Sequence, residues 1–311
     1  MKTPSTTSEG SWTILTLLKW TTSYFLSHAI DNPRSTAEVL LAHALKLKRI
    51  DLYLQYDRPM HADELKAYKS LIKRRIAREP VAYITGTREF WSLEFNVNRH
   101  VLIPRPETEC LVEAALAVMR EGEGSDPRIV LELGTGSGAV VTALASQEPA
   151  HSYFASDISI EALAMARENS VSLGQAGIHF FVGDWLAPVC CSKACFDLIV
   201  SNPPYIPRGE INDLQPEIHR YEPIRALDGE DDGLGCLRRI ITTASDCLAP
   251  GGVLLLEIGY GQKEGVEAIA RQNSCYGEIA FDKDYSGILR VARLRKPNDR
   301  EKWQQNDSRR L

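Results

Sequence analysis

The chain has 311 residues, longer than one average domain, so length favours two domains or one domain with an added module. Apolar residues make up 44% and charged residues 25%, the balance of an ordinary globular protein with material for a full core. A net charge of -5 and a pI near 5.9 argue against a dedicated nucleic-acid binder, whose affinity rests on a basic, phosphate-contacting surface. No apolar run is long enough to span a bilayer. Residues 1–10, Ser/Thr-rich with one Lys, lack the apolar core of a secretory signal. The seven cysteines are odd in number and irregularly spaced, which suits reduced thiols in the cytoplasm. Cys190, Cys191 and Cys195 cluster without ligands at zinc spacing, so no metal is expected.

Residues 12–78 read as three short helices, a small bundle. Ile14, Leu15, Leu17 and Leu18 form the first apolar stripe, and Ser35-Thr36-Ala37-Glu38 reads as a capping box opening a second helix with Val39, Leu40 and Leu47. Leu65, Tyr68, Ile72 and Ile76 line a third, and Pro80 lies just beyond its end. Lys73, Arg74, Arg75 and Arg78 are the densest basic cluster, read as a solvated helix face. From 81 to 103 the period shortens: Phe95 and Val97 alternate with polar neighbours and Gly86 supplies a turn, which predicts a β-hairpin connector. Pro104 and Pro106 enforce an extended segment before a helix over 111–119.

After Asp126-Pro127 the pattern becomes strand, loop, helix, repeated. The strand-like runs are 129–133, 152–156, 178–182, 196–201, 253–258, 277–281 and 288–294, with helices over 160–173 and 234–248 among the first five. That alternation predicts an α/β, Rossmann-like, mainly parallel sheet of seven strands whose closing pair adds an antiparallel strand. The expected division is a helical domain over 1–79, a hairpin linker over 80–107, an α/β domain over 108–296 and a disordered polar tail over 297–311.

Glu132-Leu133-Gly134-Thr135-Gly136-Ser137-Gly138 places a G-x-G-x-G turn between a buried strand and a helix. Dinucleotide binders favour G-x-G-x-x-G and cradle a pyrophosphate, which the Glu132 carboxylate would repel but an ammonium would suit. Alone, such a turn can serve tight packing only. The second strand ends at Asp157, where a carboxylate can accept both hydroxyls of a ribose, and the third at Asp184-Trp185, where a carboxylate can take an adenine amino group and an indole can cover the ring. The bland readings are a helix N-cap for Asp157 and a surface turn for Asp184, but three consecutive strands ending this way make coincidence improbable. These features resemble the class I S-adenosylmethionine methyltransferases, which implies S-adenosyl-L-methionine as cofactor.

The fourth strand breaks at Asn202-Pro203-Pro204-Tyr205. Two prolines fix φ and remove two N–H donors, leaving a rigid acceptor cluster at the carboxyl edge of the sheet, where open α/β folds bind ligands. An amide nitrogen is a poor nucleophile because its lone pair is delocalised. Accepting both of its N–H groups, through the Asn202 side-chain oxygen and the Pro203 carbonyl, would aim it at a methyl donor and favour the electron distribution of the attacking state. Tyr205 would lay its ring on the planar target. No general base is required before attack. The tetrapeptide resembles the [N/D]-P-P-[Y/F] signature of methyltransferases acting on planar nitrogens of adenine, guanine or glutamine.

Arg88-Glu89-Phe90-Trp91-Ser92-Leu93, Leu102-Ile103-Pro104-Arg105-Pro106-Glu107-Thr108-Glu109, Tyr221-Glu222-Pro223, Ala226-Leu227-Asp228-Gly229, Asp232-Gly233-Leu234, Glu257-Ile258-Gly259 and Asp284 through Arg290 together resemble the peptide chain release factor glutamine methyltransferase family. The resemblance spans about residues 12–295. It implies methylation of the glutamine in the Gly-Gly-Gln loop of release factors, with cofactor contacts from Gly134 through Gly138, Asp157, Trp185 and Asn202. Glutamine contacts then fall on Asn202 through Tyr205, and the helical domain helps dock the release factor. With the acidic charge, the lack of a spanning run and the cysteine usage, the expectation is a cytoplasmic monomer with neither a direct nucleic-acid target nor a membrane partner. Against the family pattern, Glu132 replaces the commoner Asp, Glu230 stands where Gly is usual, and Ile288-Leu289 replaces a more polar pair. A DNA or RNA amino-methyltransferase and an inert S-adenosylmethionine-binding interaction protein are the rival readings.

Overall fold

A computed structural model describes residues 12–121, 126–189 and 194–298. It forms two compact units: the chain up to Gly86 with Pro216–Tyr221 returning to it, and the remainder from Thr87.

The first unit contains α1 (Ile14–Ser27), α2 (Pro33–Leu45), α3 (Arg49–Leu54), α4 (Ala62–Ile76) and α5 (Val81–Thr85). Thr13 and Thr16 cap α1 reciprocally. The expected stripes meet in one core, where Ile14, Leu17, Leu18 and Phe25 pack with Leu40, Leu41, Tyr68 and Ile72. Three expectations need correction. The capping box at Ser35 is not formed: Pro33 starts α2 earlier, and the buried Glu38 carboxylate turns to Arg34, Arg49 and Tyr53 at 2.5, 2.7 and 2.6 Å. The basic cluster is not a solvated face. Arg74 is paired with Glu79, while the buried Arg75 and its neighbour Arg78 share Glu217, at 2.8 and 3.2 Å. Glu217 lies far along the chain, so no local pattern announces it. Finally, α5 occupies the start of the expected connector. Gly86 caps that helix at φ 82°, and the hairpin turn is Trp91-Ser92, both with positive φ.

The second unit begins with that hairpin, β1 (Thr87–Phe90) and β2 (Leu93–Asn96), then α6 (Glu109–Met119), β3 (Ile129–Leu133) and α7 (Ala139–Gln147). It continues with β4 (Ser152–Asp157), α8 (Ile160–Ser172), β5 (His179–Val182) and β6 (Phe196–Ser201). After the short α9 (Pro216–His219), which belongs to the first unit, come α10 (Gly235–Cys247), β7 (Leu248–Glu257), α11 (Lys263–Asn273), β8 (Glu278–Lys283) and β9 (Leu289–Arg295).

Seven strands form one sheet in the order β5-β4-β3-β6-β7-β9-β8, with β9 antiparallel to both neighbours and the other pairings parallel. The central strands are buried on both faces, as parallel strands covered by helices must be. Val130, Leu198 and Val200 face α6 and α7, while Leu131, Leu133 and Ile199 face α10 and α11. Strand order reverses between β3 and β6, so their carboxyl ends open the crevice in which such sheets bind ligands.

The compact units divide at 86/87 where the boundary was expected at 79/80, and the hairpin belongs wholly to the second unit. Asn169, fully buried on α8, explains the latter: its Oδ1 accepts from Asn96 N–H, and its Nδ2 donates to the carbonyls of Asn96 and Ser137. Cys110, Cys195, Cys236 and Cys275 are free thiols. Cys247 is disulfide-bonded, a departure from the expectation of reduced thiols. Cys190, Cys191 and most of the expected tail lie outside the described residues. No described helix is long and apolar enough to cross a membrane.

Candidate active site

The glycine loop joins β3 to α7, and its three glycines do different work. All have positive φ, a conformation L side chains rarely adopt. A Cβ on Gly138 would lie 3.0 Å from Cβ of Ala166, so that glycine lets α7 and α8 meet. A Cβ on Gly136 would meet nothing within 4 Å, so the backbone there borders open space. Beside Gly134 stands the Trp185 ring, 3.5 Å from where a Cβ would be.

Side chains beneath the loop hold it in place. Glu132 is buried, and its Oε2 accepts from the Thr135 hydroxyl at 2.6 Å and from Val141 N–H at 3.1 Å. Burial pushes its ionisation up to about 8 against the opposing pull of those two donors. Thr135 and Ser137 are buried as well, so the part of the loop that borders open space is backbone. Asp157, at the end of β4, spans two elements: Oδ2 accepts from Gly136 N–H and Oδ1 from Ser159 N–H, both at 2.9 Å. The helix cap itself is Ser159, which accepts from Ala162 N–H. Asp184 is exposed and Trp185 half-buried just past the end of β5. The ends of β3, β4 and β5 are adjacent, in register Leu133 to Ser156 and Asp157 to Val182, which brings the three expected groups to one edge.

On the other side of β3, Ser201 hydroxyl donates to Leu133 O at 2.8 Å and pins the end of β6. Asn202-Pro203-Pro204-Tyr205 follows with trans peptides, Pro203 buried and the others half-buried. Asn202 Nδ2 donates to the Thr108 hydroxyl at 3.1 Å. Tyr205 is held at both ends: its hydroxyl donates to Glu257 Oε1 at 3.2 Å, and its carbonyl accepts from Gln262 Nε2 at 2.9 Å. Glu257 ends β7 and is 1% exposed, and its Oε2 has no hydrogen-bond partner. Burial pushes its ionisation up to about 7, opposed by the nearby Thr108 and Tyr205 hydroxyls and by the Arg290 charge.

The signature segments converge on this edge. Glu222 accepts from Arg105 at 2.5 Å and from Ile103 N–H at 3.1 Å, joining stretches far apart in sequence. The loop over 228–233 sits on the tetrapeptide: Gly229 N–H donates to Ile206 O at 2.8 Å, and a Cβ on Gly233 would lie 2.6 Å from Tyr205 O. Glu230 has φ 70°, which gives a physical reason why Gly is usual there. Sequence reasoning left Asn169, Thr108, Glu257 and Gln262 without roles. A charged residue closing the apolar run 253–256 was a readable signal for Glu257, whereas Gln262 carries none.

Two domain families match the chain: the PrmC N-terminal domain over residues 16–86 and the methyltransferase small domain over 113–215. The release factor glutamine methyltransferase of Geobacter sulfurreducens is 43% identical over 281 residues, covering 90% of this chain and 95% of that protein. Its counterpart from Vibrio cholerae is 40% identical, covering 94% and 99%. The chain belongs to the release factor glutamine methyltransferase family. Among solved structures, the hMettl16 catalytic domain in complex with a MAT2A 3'UTR hairpin superposes with a TM-score of 0.55 at 14% identity, covering 72% of this chain and 82% of that one. At that identity it speaks for the class of fold alone. Membership of the family bears out the reading drawn from the glycine loop, the tetrapeptide and the Arg105-Pro106 segment together.

Proposed function

We propose that this family member transfers the methyl group of S-adenosyl-L-methionine to the side-chain amide nitrogen of a glutamine, that of the Gly-Gly-Gln motif in translation release factors. The observation that carries this reading is the placement of the tetrapeptide just after β6, next to the glycine loop just after β3, at the reversal of strand order. The residues fit the cofactor. Gly136 offers open backbone, Asp157 has lone pairs beyond its two N–H partners, the Trp185 indole lies beside Gly134, and Asp184 is exposed at the same edge. Glu132, Thr135 and Ser137 act through the loop they shape, and Gly138 through the helix contact. When bound, the cofactor supplies an electrophilic methyl group.

The chain's own contribution is alignment and acceptance. Asn202 Oδ1 and the Pro203 carbonyl take the two amide N–H groups, Pro204 stiffens the turn and Tyr205 covers the planar amide. Holding the nitrogen in line can supply on the order of 7–11 kcal/mol of the barrier. The first unit helps dock the release factor. Its exposed Trp12, Trp20, Ile50, Tyr53 and Leu54 are the large apolar side chains such a surface would use. On this reading the protein is a cytoplasmic monomer with no direct nucleic-acid target, and its net charge of -5 supports the last point.

Labelled methyl transfer to a purified release factor, beside duplex DNA and RNA, tests the substrate class, with peptide mapping of the product. Label on nucleic acid and none on the Gly-Gly-Gln peptide would overturn the proposal. In single-turnover assays at saturating cofactor, Asn202→Ala leaves a target N–H unpaired and is expected to slow transfer about a hundredfold or more. Asn202→Asp, which keeps an acceptor, loses less.

A further inference from the structure

A glutamine side chain carries two N–H donors and one carbonyl oxygen, and Gln262 has all three engaged. Its Nε2 donates to the carbonyls of Tyr205 and Gly233, at 2.9 and 3.0 Å, and its Oε1 accepts from Gly259 N–H at 2.8 Å. The two ends of such an amide are alike in size, so hydrogen bonding decides which faces which way. Two carbonyls on one side and an N–H on the other select this orientation, because the reverse would set oxygen against oxygen twice and donor against donor once. Glycines make room for the side chain: a Cβ on Gly233 would lie 2.9 Å from Nε2, and one on Gly259 3.0 Å from Oε1. The backbone of Gln262 is fixed as well, since its carbonyl accepts from Val266 N–H at 3.0 Å at the start of α11.

Three segments meet at this side chain: the tetrapeptide after β6, the loop over 228–233 and the turn between β7 and α11. At the start of the tetrapeptide, the Ser201 hydroxyl pins the end of β6 to Leu133 O at 2.8 Å. Within it, Pro203 and Pro204 fix φ but not ψ, so its far end needs a hold from outside. We infer that Gln262 is a positioning residue for methyl transfer: by holding the Tyr205 carbonyl from α11, it fixes the far end of the tetrapeptide and with it the Pro203 carbonyl and Tyr205 ring that receive the target amide. This rests on the reading of the tetrapeptide as the amide site. The clip lies on the β7 side of β6, whereas the cofactor groups stand at the ends of β3, β4 and β5 on its other side. Its loss should therefore show in transfer and not in cofactor binding.

Gln262→Glu keeps the length and the acceptor for Gly259 N–H, but turns an oxygen towards the two carbonyls. Gln262→Met keeps the length without a polar atom. Each is expected to lower the single-turnover rate constant about tenfold or more, with cofactor affinity within about twofold of the unaltered protein. The rate constant is read with the protein in saturating excess over a release factor, where an unfolded fraction does not change it, so a loss of stability alone would leave it unmoved. With its carboxylate ionised, the Glu variant should be no faster than the Met variant. A role limited to filling space or holding the Gly259 turn would instead leave Glu near the unaltered rate. If the Glu variant does not fold, the Met rate constant decides. No transfer by the unaltered protein to a release factor would overturn the functional reading, and this inference with it. Transfer by that protein with Gln262→Met equally fast, with Gln262→Glu near the unaltered rate, or with the loss confined to cofactor affinity would overturn this inference alone.

Discussion

Asp157 illustrates how one side chain serves structure and ligand together. Its carboxylate holds Gly136 N–H and Ser159 N–H, so truncation removes more than the proposed ribose contact. Asp157→Ala is expected to weaken cofactor binding in isothermal titration and also to cost about 1–3 kcal/mol of stability from unpaired backbone donors. Unchanged affinity with an intact fold would remove Asp157 from the cofactor site. Glu257 makes a pH prediction at the same scale. It is faced by Thr108 and Glu107 from the segment before α6, by Tyr205 from the tetrapeptide and by Arg290 from β9. Burial holds its ionisation near 7, so acidification neutralises it and weakens its hold on the Tyr205 hydroxyl. The transfer rate should fall as pH drops through about 7, and Glu257→Gln should be slower with that limb flattened. An unaltered acid limb in the variant would assign the titration to another group.

At the scale of elements, the glycine loop separates two kinds of requirement. Gly138→Ala meets Ala166 at 3.0 Å with φ at 79°, so it should destabilise the fold by about 2 kcal/mol or more in urea unfolding. Gly136→Ala carries the same kind of conformational penalty, about 1–2 kcal/mol, but borders open space, so its larger effect should be on cofactor affinity. If Gly136→Ala bound cofactor normally, the open backbone there would not be the binding surface. The loop over 228–233 makes the converse case. Glu230 holds φ 70° and pairs with Arg239, an exposed ion pair of small worth. Glu230→Gly should therefore be neutral or stabilising by up to about 1 kcal/mol, checked by the shift in urea midpoint. A clear loss of stability would show that the ion pair outweighs the strain.

For the molecule as a whole, two buried carboxyl groups shape stability against pH. Glu132 and Glu257 ionise near 8 and 7 in the folded protein, above the ordinary carboxylate value of 4.5. Folding thus favours their neutral forms. The stabilisation is complete below about pH 4.5 and is lost as pH rises towards 8, at no more than about 1.4 kcal/mol per pH unit for each group. Glu132→Gln can still accept from Val141 N–H and remains neutral, so its stability should fall less between pH 5 and pH 8. Unfolding curves at the two ends of that range would decide, and an unchanged slope would mean that Glu132 is ionised throughout.

Much of this was legible in the chain because it is local. Apolar periodicity set the alternation of strands and helices, and the Gly134–Gly138 spacing with acidic strand ends pointed to the cofactor class. Pro203 and Pro204 marked a rigid acceptor edge whatever the surroundings. What the chain could not show were contacts that folding creates between distant residues. Arg75 looked solvated because Glu217 is far along the chain, and Glu38 looked like a cap because Arg49 and Tyr53 were out of view. The residue type at Gln262 is unremarkable in sequence, and nothing at Thr108 announces its spatial neighbours. Only strand order places β7 beside β6 and brings Thr108 against Asn202, since a hydrogen bond depends on position in space and leaves no period behind it.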